Sequence, residues 1–578
     1  MNNRISFWNQ ILMGLLASFP IIYFLLQAFL FQVEHYESFL GLFLVLTIGF
    51  SSFSLLGAYE TTEKANVVFG YGIFWFCLGF SFIVGKSILL PILLEFATFS
   101  IFWIYSGTKF GNQQMESLRT LILVSGISVV FIASWIFLAT GSMIGLSLLT
   151  IALLLKSGFL GFHYWLPKVN EGGPSHALGA FAGVLEVFPL ILFYEFVLPY
   201  KLANGLVLAL FMLSAIGIFL GGVAGFFQKK VKLVFAYSSI ESIHFLWLCL
   251  FSISLFQYDV DPSLQKLTFA FRILFFVGLL HHSFSKSFQF FSFGILLRLT
   301  NDLTVDHIKG VGRLIGISPL LMGIGSFSFA VLPGTIGFLS ESTYFFINSR
   351  ILDLPIGKSV YLLPAMIFIF FGMVLGGFSH LKIYFGVFLS NPKLEYHKLE
   401  LEPKKLKAIR LSLINLSFWI ISLPLVAPFL LDFFFQIRSV DKSLYNWFLM
   451  VALVSFVTQV IVCLVYILFN KYRVKDLKKE SWDCGNNYSG EDLSVPSSEF
   501  SKPLFNSLGR YFLDIDGKLK VDKAIFNVVN YLNYRFLKLI QDKDQNRQEE
   551  DISAYLAFAS LFFILTFVIT ISVNILEN

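Results

Sequence analysis

Apolar runs of about 20 residues follow one another, with short polar interruptions, through most of the chain up to about residue 470. A bilayer core of about 30 Å takes roughly 20 helical residues, and lipid-exposed irregular backbone does not cross it. The pattern therefore predicts an all-α polytopic membrane protein with about 15 spans, their boundaries good to about 2–4 residues. Three of these predicted spans, 142–165, 175–197 and 316–347, contain polar interruptions that matter below.

The pattern changes after residue 470, where a long polar segment precedes one final apolar run. Near-helical spacing from about Lys518 to Ile540 predicts an amphipathic helix lying in the membrane interface. We predict five parts. They are N-terminal membrane helices over 1–86, a central membrane core over 87–395, further core helices over 396–470, a cytoplasmic polar segment over 471–552 and a final membrane helix over 553–578.

Composition supports a lipid-embedded chain, since 56% of residues are hydrophobic and only 13% are charged. The net charge of +6 matters through its placement in loops, not through its sum. Lys and Arg are concentrated near residues 229–232, 298–313, 393–410 and after 471. The positive-inside rule makes that face cytoplasmic, which puts the N-terminus inside. The expected location is the cytoplasmic (inner) membrane of a prokaryote.

No cofactor site is readable from the sequence. Cys77, Cys249, Cys463 and Cys484 lack metal-ligand spacing, so no metal or iron–sulfur site is expected. No glycine-rich phosphate loop is present either, which argues against ATP as the energy source. Any redox chemistry is therefore expected on a partner subunit, and no nucleic-acid partner is expected.

Charged side chains inside the apolar runs are the main functional signal, because each costs about 3 kcal/mol at mid-membrane. The candidates for a buried charge axis are Glu95, Lys156, Glu186, Glu241, His282, Lys286, Glu341 and Lys382, with Lys232 at the head of a further run. Desolvation shifts the pKa values of lysines and carboxylates toward neutrality, where they can exchange protons. The alternation of acids and bases therefore suggests a proton path.

Other interpretations remain open for some of these residues. Glu95 and Lys156 could form a purely structural ion pair. Lys232 could serve equally as a loop charge facing lipid phosphates or as a member of the axis. His282 and Lys286 are four residues apart, so they lie on one helix face within reach of each other, directly or through a water. Broken helices, which transporters use at ion sites, are predicted at 165–177 and 330–338.

These residues lie in motifs that resemble the antiporter-like membrane subunits of respiratory complex I, Mrp cation/proton antiporters and group-4 membrane hydrogenases. The resemblance covers roughly residues 90–395. KSGFLGFHYWLP followed by PSHALGAF resembles the family's lysine, PLHxWLP and PSxxSAL; KLVFAYSSIESI resembles IKRxLAYSSIxxxG; and HHSFSKSFQF resembles NHxxFKxxLF. The hydrogenase-4 and formate-hydrogenlyase branch is most similar, through VLPGTIGFLSE, SHLKIYFGVFLSNP, and WDCG followed by SEFSKPL.

The resemblance implies about 14 core helices with two inverted repeats, each containing a broken helix, and a charged axis through mid-membrane. Glu95 would pair with and modulate Lys156, and Lys286 with His282 would form the central link. Lys232 would match the lysine before the AYSS motif, and Lys382 the terminal lysine of the second broken helix. Protons would cross the membrane, and redox chemistry in partner subunits would supply the energy.

Several positions depart from the family pattern. Gly161 and Gly334 stand where the family has prolines, and Lys230 stands where it has an aspartate. A family lysine falls at Val187, with Glu186 beside it as the candidate substitute. The Glu95 motif also comes one helix earlier than in the family.

Three functions remain open at this stage. The first is a non-redox, proton-translocating subunit of a hydrogenase-4-like or NADH:quinone oxidoreductase-like complex, embedded in lipid beside other membrane subunits. The second is a secondary cation/proton antiporter or inorganic-carbon transport subunit, with Na⁺ as the other candidate ion and no redox partner. The third is a degenerate scaffold, which the lost prolines favour and the retained charges disfavour. Neighbouring genes would discriminate between the first two.

Overall fold

The computed structural model describes residues 36–56, 64–84, 86–87, 89–106, 112–138, 141–300, 304–352, 363–388, 402–471, 501–504, 509–513 and 519–520. The predicted spans at 9–31 and 553–575 and most of the predicted interfacial helix lie outside these residues. The chain forms two compact units, one of residues 1–201 with 510–578 and one of residues 202–509.

The described residues are almost entirely helical. In the first unit the helices are α1 (Tyr36–Leu55), α2 (Lys64–Ser81), α3 (Leu89–Ser106), α4 (Asn112–Phe137), α5 (Met143–Lys156), α6 (Trp165–Gly172), α7 (Ser175–Ala180) and α8 (Phe188–Phe196). In the second they are α9 (Asn204–Phe227), α10 (Val231–Phe256), α11 (Pro262–Thr300), α12 (Pro319–Phe329), α13 (Ile336–Leu352), α14 (Leu363–Phe388), α15 (Pro403–Phe435), α16 (Ile437–Val440) and α17 (Lys442–Lys471). Short helices follow at α18 (Lys502–Leu504) and, in the first unit, α19 (Arg510–Phe512).

Among the described residues, eight helical segments are long and apolar enough to cross a membrane. They are α4, the segment Ser175–Phe196, α9, α10, α11, α14, α15 and α17. Shorter apolar helices, α1, α2, α3, α5 and α12, accompany them. The predicted all-α polytopic architecture is confirmed.

Helix α5 is shorter than the predicted span 142–165, which is wrong at its C-terminal end. Ser142 caps its first turn by accepting a hydrogen bond from the Gly145 amide at 3.1 Å, and the helix ends at Lys156. Beyond it, Gly158 and Gly161 have φ of +71° and +97°, left-handed conformations in which the helix cannot continue. Trp165 Nε1 donates to the Leu155 carbonyl at 3.0 Å, satisfying a backbone group at the helix end. Hydropathy alone cannot reveal this break, because the connecting residues are apolar too.

The first predicted helix break is confirmed. Helix α6 ends at Gly172 and α7 begins at Ser175, with Pro174 in extended geometry between them. A π-helical segment, Phe181–Leu185, then joins α7 to α8. Such segments frequently mark functional sites within helices.

The second predicted break is confirmed as well and separates α12 from α13. Val331 and Gly334 both have positive φ, at 59° and 96°. Gln459 of α17 donates from Nε2 to the Gly334 carbonyl and to the Ile421 carbonyl of α15, each at 2.9 Å. The freed backbone of the break is therefore satisfied by a neighbouring membrane helix, as lipid requires.

Lys382 is not in this broken segment. It lies in α14, which is continuous from Leu363 to Phe388. The expectation that Lys382 is the terminal lysine of the second broken helix is therefore wrong. The charged residue just beyond the break is Glu341, in α13.

Candidate functional site

Glu95 and Lys156 meet through a serine in the first unit. Ser125 of α4 accepts a hydrogen bond from Lys156 Nζ at 2.7 Å and lies 3.4 Å from Glu95 Oε2. All three side chains are buried. Thr98 Oγ1 lies 2.8 Å from Ser125 Oγ, so a second hydroxyl is available at the same point. The predicted pairing of the acid and the lysine is thus mediated by a group that can both donate and accept a proton.

Glu186 lies at the end of the π-helical segment, where its amide donates to the Phe181 carbonyl at 3.2 Å. Its side chain and that of Val187 are fully buried. Burial of a carboxyl at the position beside the family's lysine keeps Glu186 as a candidate substitute. Its participation in proton transfer stays a prediction.

Lys286 of α11 is fully buried in the second unit. Its Nζ donates to the Phe235 carbonyl of α10 at 3.0 Å and lies 4.2 Å from the centre of the Phe329 ring at the end of α12. A desolvated cation over an aromatic face gains about 2 kcal/mol, which offsets part of its burial cost. The helix break thus supplies a cation-binding surface to the lysine.

His282, one turn before Lys286 on α11, contacts a different part of α10. Its Nδ1 lies 2.8 Å from Ser242 Oγ, and Ser242 Oγ also donates to the Ser238 carbonyl at 2.8 Å. His282 is 1% exposed, so its ring is enclosed by protein. His282 and Lys286 therefore both bond to α10, and their contact with each other, direct or through a water, stays a prediction.

Glu241 and Glu341 approach the same cluster from α10 and α13. Glu241 lies within electrostatic range of both Glu341 and Lys286. Its carboxylate packs directly on Gly376 of α14, where a Cβ would overlap both carboxylate oxygens. Gly221 of α9 lets the backbone of α10 approach closely at the Glu241 amide. Close helix packing therefore fixes where this acid lies.

The side chain of Lys382, in α14, contacts the C-terminal end of α9. Its Nζ donates to the carbonyls of Phe226 and Gln228, the latter at 2.9 Å, and lies 5.6 Å from the centre of the Phe226 ring. These are C-terminal carbonyls of a helix, a position that favours a cation. Lys232, in the first turn of α10, is buried at 9% exposure in the same region of the chain.

Several polar residues in these clusters were missed by sequence reasoning. His380 is the most prominent, since its ring is fully enclosed and bonded at both nitrogens, to Ser238 Oγ and Gln289 Nε2, each at 2.7 Å. The signal was available, because His380 lies two residues before Lys382 in the motif SHLKIYFG. Ser125 carried no signal, since single serines are ordinary in membrane helices.

Residues 78–351 match the model of the NADH:quinone oxidoreductase/Mrp antiporter transmembrane family. Over these residues the chain is similar to the antiporter-like membrane subunits. The matched region contains the Glu95–Ser125–Lys156 cluster, the first helix break, Lys286 and Glu341. Together with its apolar membrane-length helices, this makes the chain a multi-pass integral membrane protein.

The curated relatives include NADH-ubiquinone oxidoreductase chain 2 from Sylvisorex johnstoni. It is 27% identical over 200 residues, which are 35% of this chain and 53% of that protein. The same subunit from Mus musculus is 26% identical over 241 residues, or 41% of this chain and 61% of that protein. For the first relatives the alignments span about half of the relative's length.

Chains of two solved structures share the fold of this chain. A chain of the membrane-bound sulfane sulfur reductase, an archaeal respiratory membrane complex, matches with a TM-score of 0.59 and 15% identity over 92% of this chain and 88% of its own. A chain of the Mrp complex from Dietzia matches with a TM-score of 0.60 and 15% identity, over 99% of this chain and 60% of its own. At this identity the likeness concerns the fold alone.

Proposed function

We propose that the chain is a proton-translocating, antiporter-like membrane subunit of a hydrogenase-4-like or NADH:quinone oxidoreductase-like complex. Protons would move through the buried lysine, glutamate and histidine side chains of the two units, and redox chemistry in partner subunits would supply the energy. The chain itself would carry no cofactor.

The burial of Lys286 beside titratable groups is the observation that carries this proposal. A lysine amine within range of Glu241, and on the same helix as His282, has partners that can take its proton or hold its charge. Simple structural stability would not require such a group, because apolar replacements of buried charges are often neutral or stabilising. The cost of placing a charge inside a membrane therefore favours a functional role for Lys286.

The Glu95–Ser125–Lys156 cluster supports the same function in the first unit. A hydroxyl between an acid and an amine can pass a proton in either direction, because it donates and accepts at once. A direct ion pair would hold its charges more tightly. The arrangement suits reversible transfer.

Placement in the inner membrane of a prokaryote, with the N-terminus in the cytoplasm, is part of the proposal. Three basic stretches lie before α10, after α11 and before α15. Two membrane crossings, α10 and α11, separate the first from the second. Two more, the broken helix α12–α13 and α14, separate the second from the third. The three stretches therefore fall on one face, as the positive-inside rule requires.

A second candidate is a secondary cation/proton antiporter without a redox partner, which the likeness to a chain of the Mrp complex favours. Genes for nickel–iron or quinone-reactive subunits next to this one would favour the first function. Flux driven by an imposed Na⁺ gradient in the absence of any electron donor would favour the second.

The test uses membrane vesicles that contain the chain in its native assembly, with proton flux followed by a pH-sensitive dye. Lys286→Met and Lys156→Met should each abolish flux while the assembly persists on a native gel. Lys266→Met is the matched control, because Lys266 is an exposed lysine on the same helix as Lys286. Normal flux in both buried-lysine variants would overturn the proposal.

A further inference from the structure

His380 has an unusual environment for a membrane histidine. Its ring is 1% exposed and stacks on Phe329, with ring centres 4.7 Å apart. Nε2 lies 2.7 Å from Ser238 Oγ on α10, and Nδ1 lies 2.7 Å from Gln289 Nε2 on α11. Both ring nitrogens therefore have a hydrogen-bond partner in this one orientation of the ring.

The Gln289 amide is only half satisfied. Its nitrogen faces His380, whereas its oxygen is buried without a hydrogen-bond partner among the described residues. An unpaired buried amide oxygen is unfavourable. A half-turn of the amide exchanges the two atoms and brings the oxygen to His380 Nδ1.

The two amide positions correspond to two protonation states of the ring. With the nitrogen toward the ring, Gln289 donates to Nδ1, so the ring is neutral and donates its own proton from Nε2 to Ser238 Oγ. With the oxygen toward the ring, Nδ1–H donates to Gln289 Oε1 while Nε2–H still donates to Ser238. The second arrangement satisfies an imidazolium completely.

The charges around the ring couple it to the central lysine. Lys286 precedes Gln289 by three residues on α11, so the two are neighbours on one helix face. Lys286 Nζ rests on the same Phe329 ring that stacks on His380, at 4.2 Å from its centre, and His281 also contacts that ring at 4.9 Å. Among the described residues, the titratable groups Lys286 and His281 act on His380 electrostatically. Two adjacent cations repel, so a charge on Lys286 and a charge on His380 exclude each other.

We propose that His380 is a further proton-carrying residue of the second unit, with the Gln289 amide as a two-position switch that accommodates its neutral and cationic forms. The proposal rests on the proposed function. In the forward step the Lys286 ammonium gives one proton and becomes a neutral amine, while His380 Nδ1 takes it and becomes an imidazolium. Gln289 turns its oxygen to the new N–H. The reverse step restores both groups, so the charge of the pair is conserved.

The test replaces the histidine by a residue that keeps its hydrogen bonds but cannot carry a proton at neutral pH. His380→Gln should lower proton flux in vesicles of the native assembly by at least about tenfold, since glutamine bonds to Ser238 and Gln289 but does not titrate. His244→Gln is the control. His244 is a fully buried histidine of the same unit whose ring packs on Gly217 and whose Nδ1 lies 2.6 Å from the Ile240 carbonyl. Flux in His380→Gln equal to that in His244→Gln would overturn the proposal.

A second variant keeps the test decisive if His380→Gln does not assemble. Gln289→Met preserves volume but offers no oxygen to Nδ1–H, so flux should fall several-fold, and the infrared band of ¹⁵N-labelled imidazolium that appears during turnover should be lost. A purely structural glutamine would leave that band in place. The outcomes also separate the two proposals. Normal flux in both Lys286→Met and Lys156→Met overturns the proposed function, whereas normal flux in the His380 and Gln289 variants alone overturns only this inference.

Discussion

Arg350 and Asp441 form a two-pronged ion pair between the end of α13 and the turn that precedes α17. Nη1 lies 2.5 Å from Oδ2 and Nη2 lies 3.0 Å from Oδ1, and the carboxylate is 4% exposed. The Leu444 amide and the Ser443 hydroxyl also donate to Asp441, at 3.1 Å and 2.9 Å. This ion pair joins the start of α17 to the C-terminal end of α13. The hydrogen bond from Gln459 to the Gly334 carbonyl joins α17 to the residues just before α13.

Asp441→Asn should destabilise the protein by about 1.5–3 kcal/mol, because it leaves the Arg350 guanidinium without its charged acceptor. Thermal unfolding in detergent measures the change. Glu402→Gln is the control, since Glu402 pairs with Lys405 as an exposed helix-start pair and such pairs contribute little. Equal melting temperatures for Asp441→Asn and wild type would show that α17 is held by apolar packing alone.

The same pair predicts a pH dependence. Burial alone would raise the pKa of Asp441, but hydrogen bonds from Arg350, Leu444 and Ser443 and the guanidinium charge outweigh it and lower the pKa below its ordinary value. A lowered folded-state pKa gives stability that is fully present above the unfolded pKa of about 3.9 and is lost as the pH falls through the folded value. The difference in melting temperature between wild type and Asp441→Asn should therefore be constant from about pH 5 to 8 and shrink below about pH 4. A difference that grew on acidification would contradict the assigned sign.

Gly376→Ala should impair proton flux by displacing the Glu241 carboxylate. A Cβ at Gly376 would overlap both carboxylate oxygens, and the tight contacts at Gly221 leave the backbone of α10 little room to retreat. Overpacking of this kind costs about 1–3 kcal/mol. We expect flux to fall at least about tenfold with the assembly retained, measured in vesicles.

The neighbouring glycine is the matched control for that change. A Cβ at Gly377 would meet Ala330 Cα at 3.4 Å and the Phe329 carbonyl at 3.5 Å, which are ordinary contacts. Gly377→Ala should therefore keep most of the flux. If the two variants behaved alike, the effect would belong to helix packing in general and not to Glu241.

Ser125→Ala should slow flux through the first unit, because it removes the hydroxyl between Glu95 and Lys156. Ser128→Ala is the control on the same helix, since Ser128 Oγ is buried as well but donates only to the Ser125 carbonyl at 2.8 Å. Vesicle flux relative to Lys156→Met measures the share that depends on the bridge. Wild-type flux in Ser125→Ala would mean that Glu95 and Lys156 exchange protons without it.

The helices and the buried charges could be predicted from the sequence, because lipid imposes a length on each span and a high cost on each charge. The partners of those charges could not. Ser125, Ser238 and Gln289 are common residues whose importance depends on which helix faces them. For Lys382 the motif was recognised, but its place in the fold was predicted wrongly. Its hydrogen bonds to the end of α9 depend on tertiary packing, which the motif does not reveal. The end of α5 was missed because apolar loop residues look like helix in a hydropathy pattern.

The two glycines at the family's proline positions give the last prediction. Gly161 has φ of +97° and Gly334 has φ of +96°, whereas a proline ring fixes φ near −65°. Restoring the family residue with Gly161→Pro should therefore destabilise the protein by more than about 1 kcal/mol and not stabilise it. Gly161→Ala separates the causes, because apart from its chain neighbours none of the described residues lies within 4 Å of the added Cβ, so the positive φ is what opposes the change. Gly334→Ala adds a 3.1 Å contact with Gln459 Cγ and should cost more. Chemical unfolding in mixed micelles measures all three, and a Gly161→Pro variant as stable as wild type would mean that this turn adopts the family's backbone.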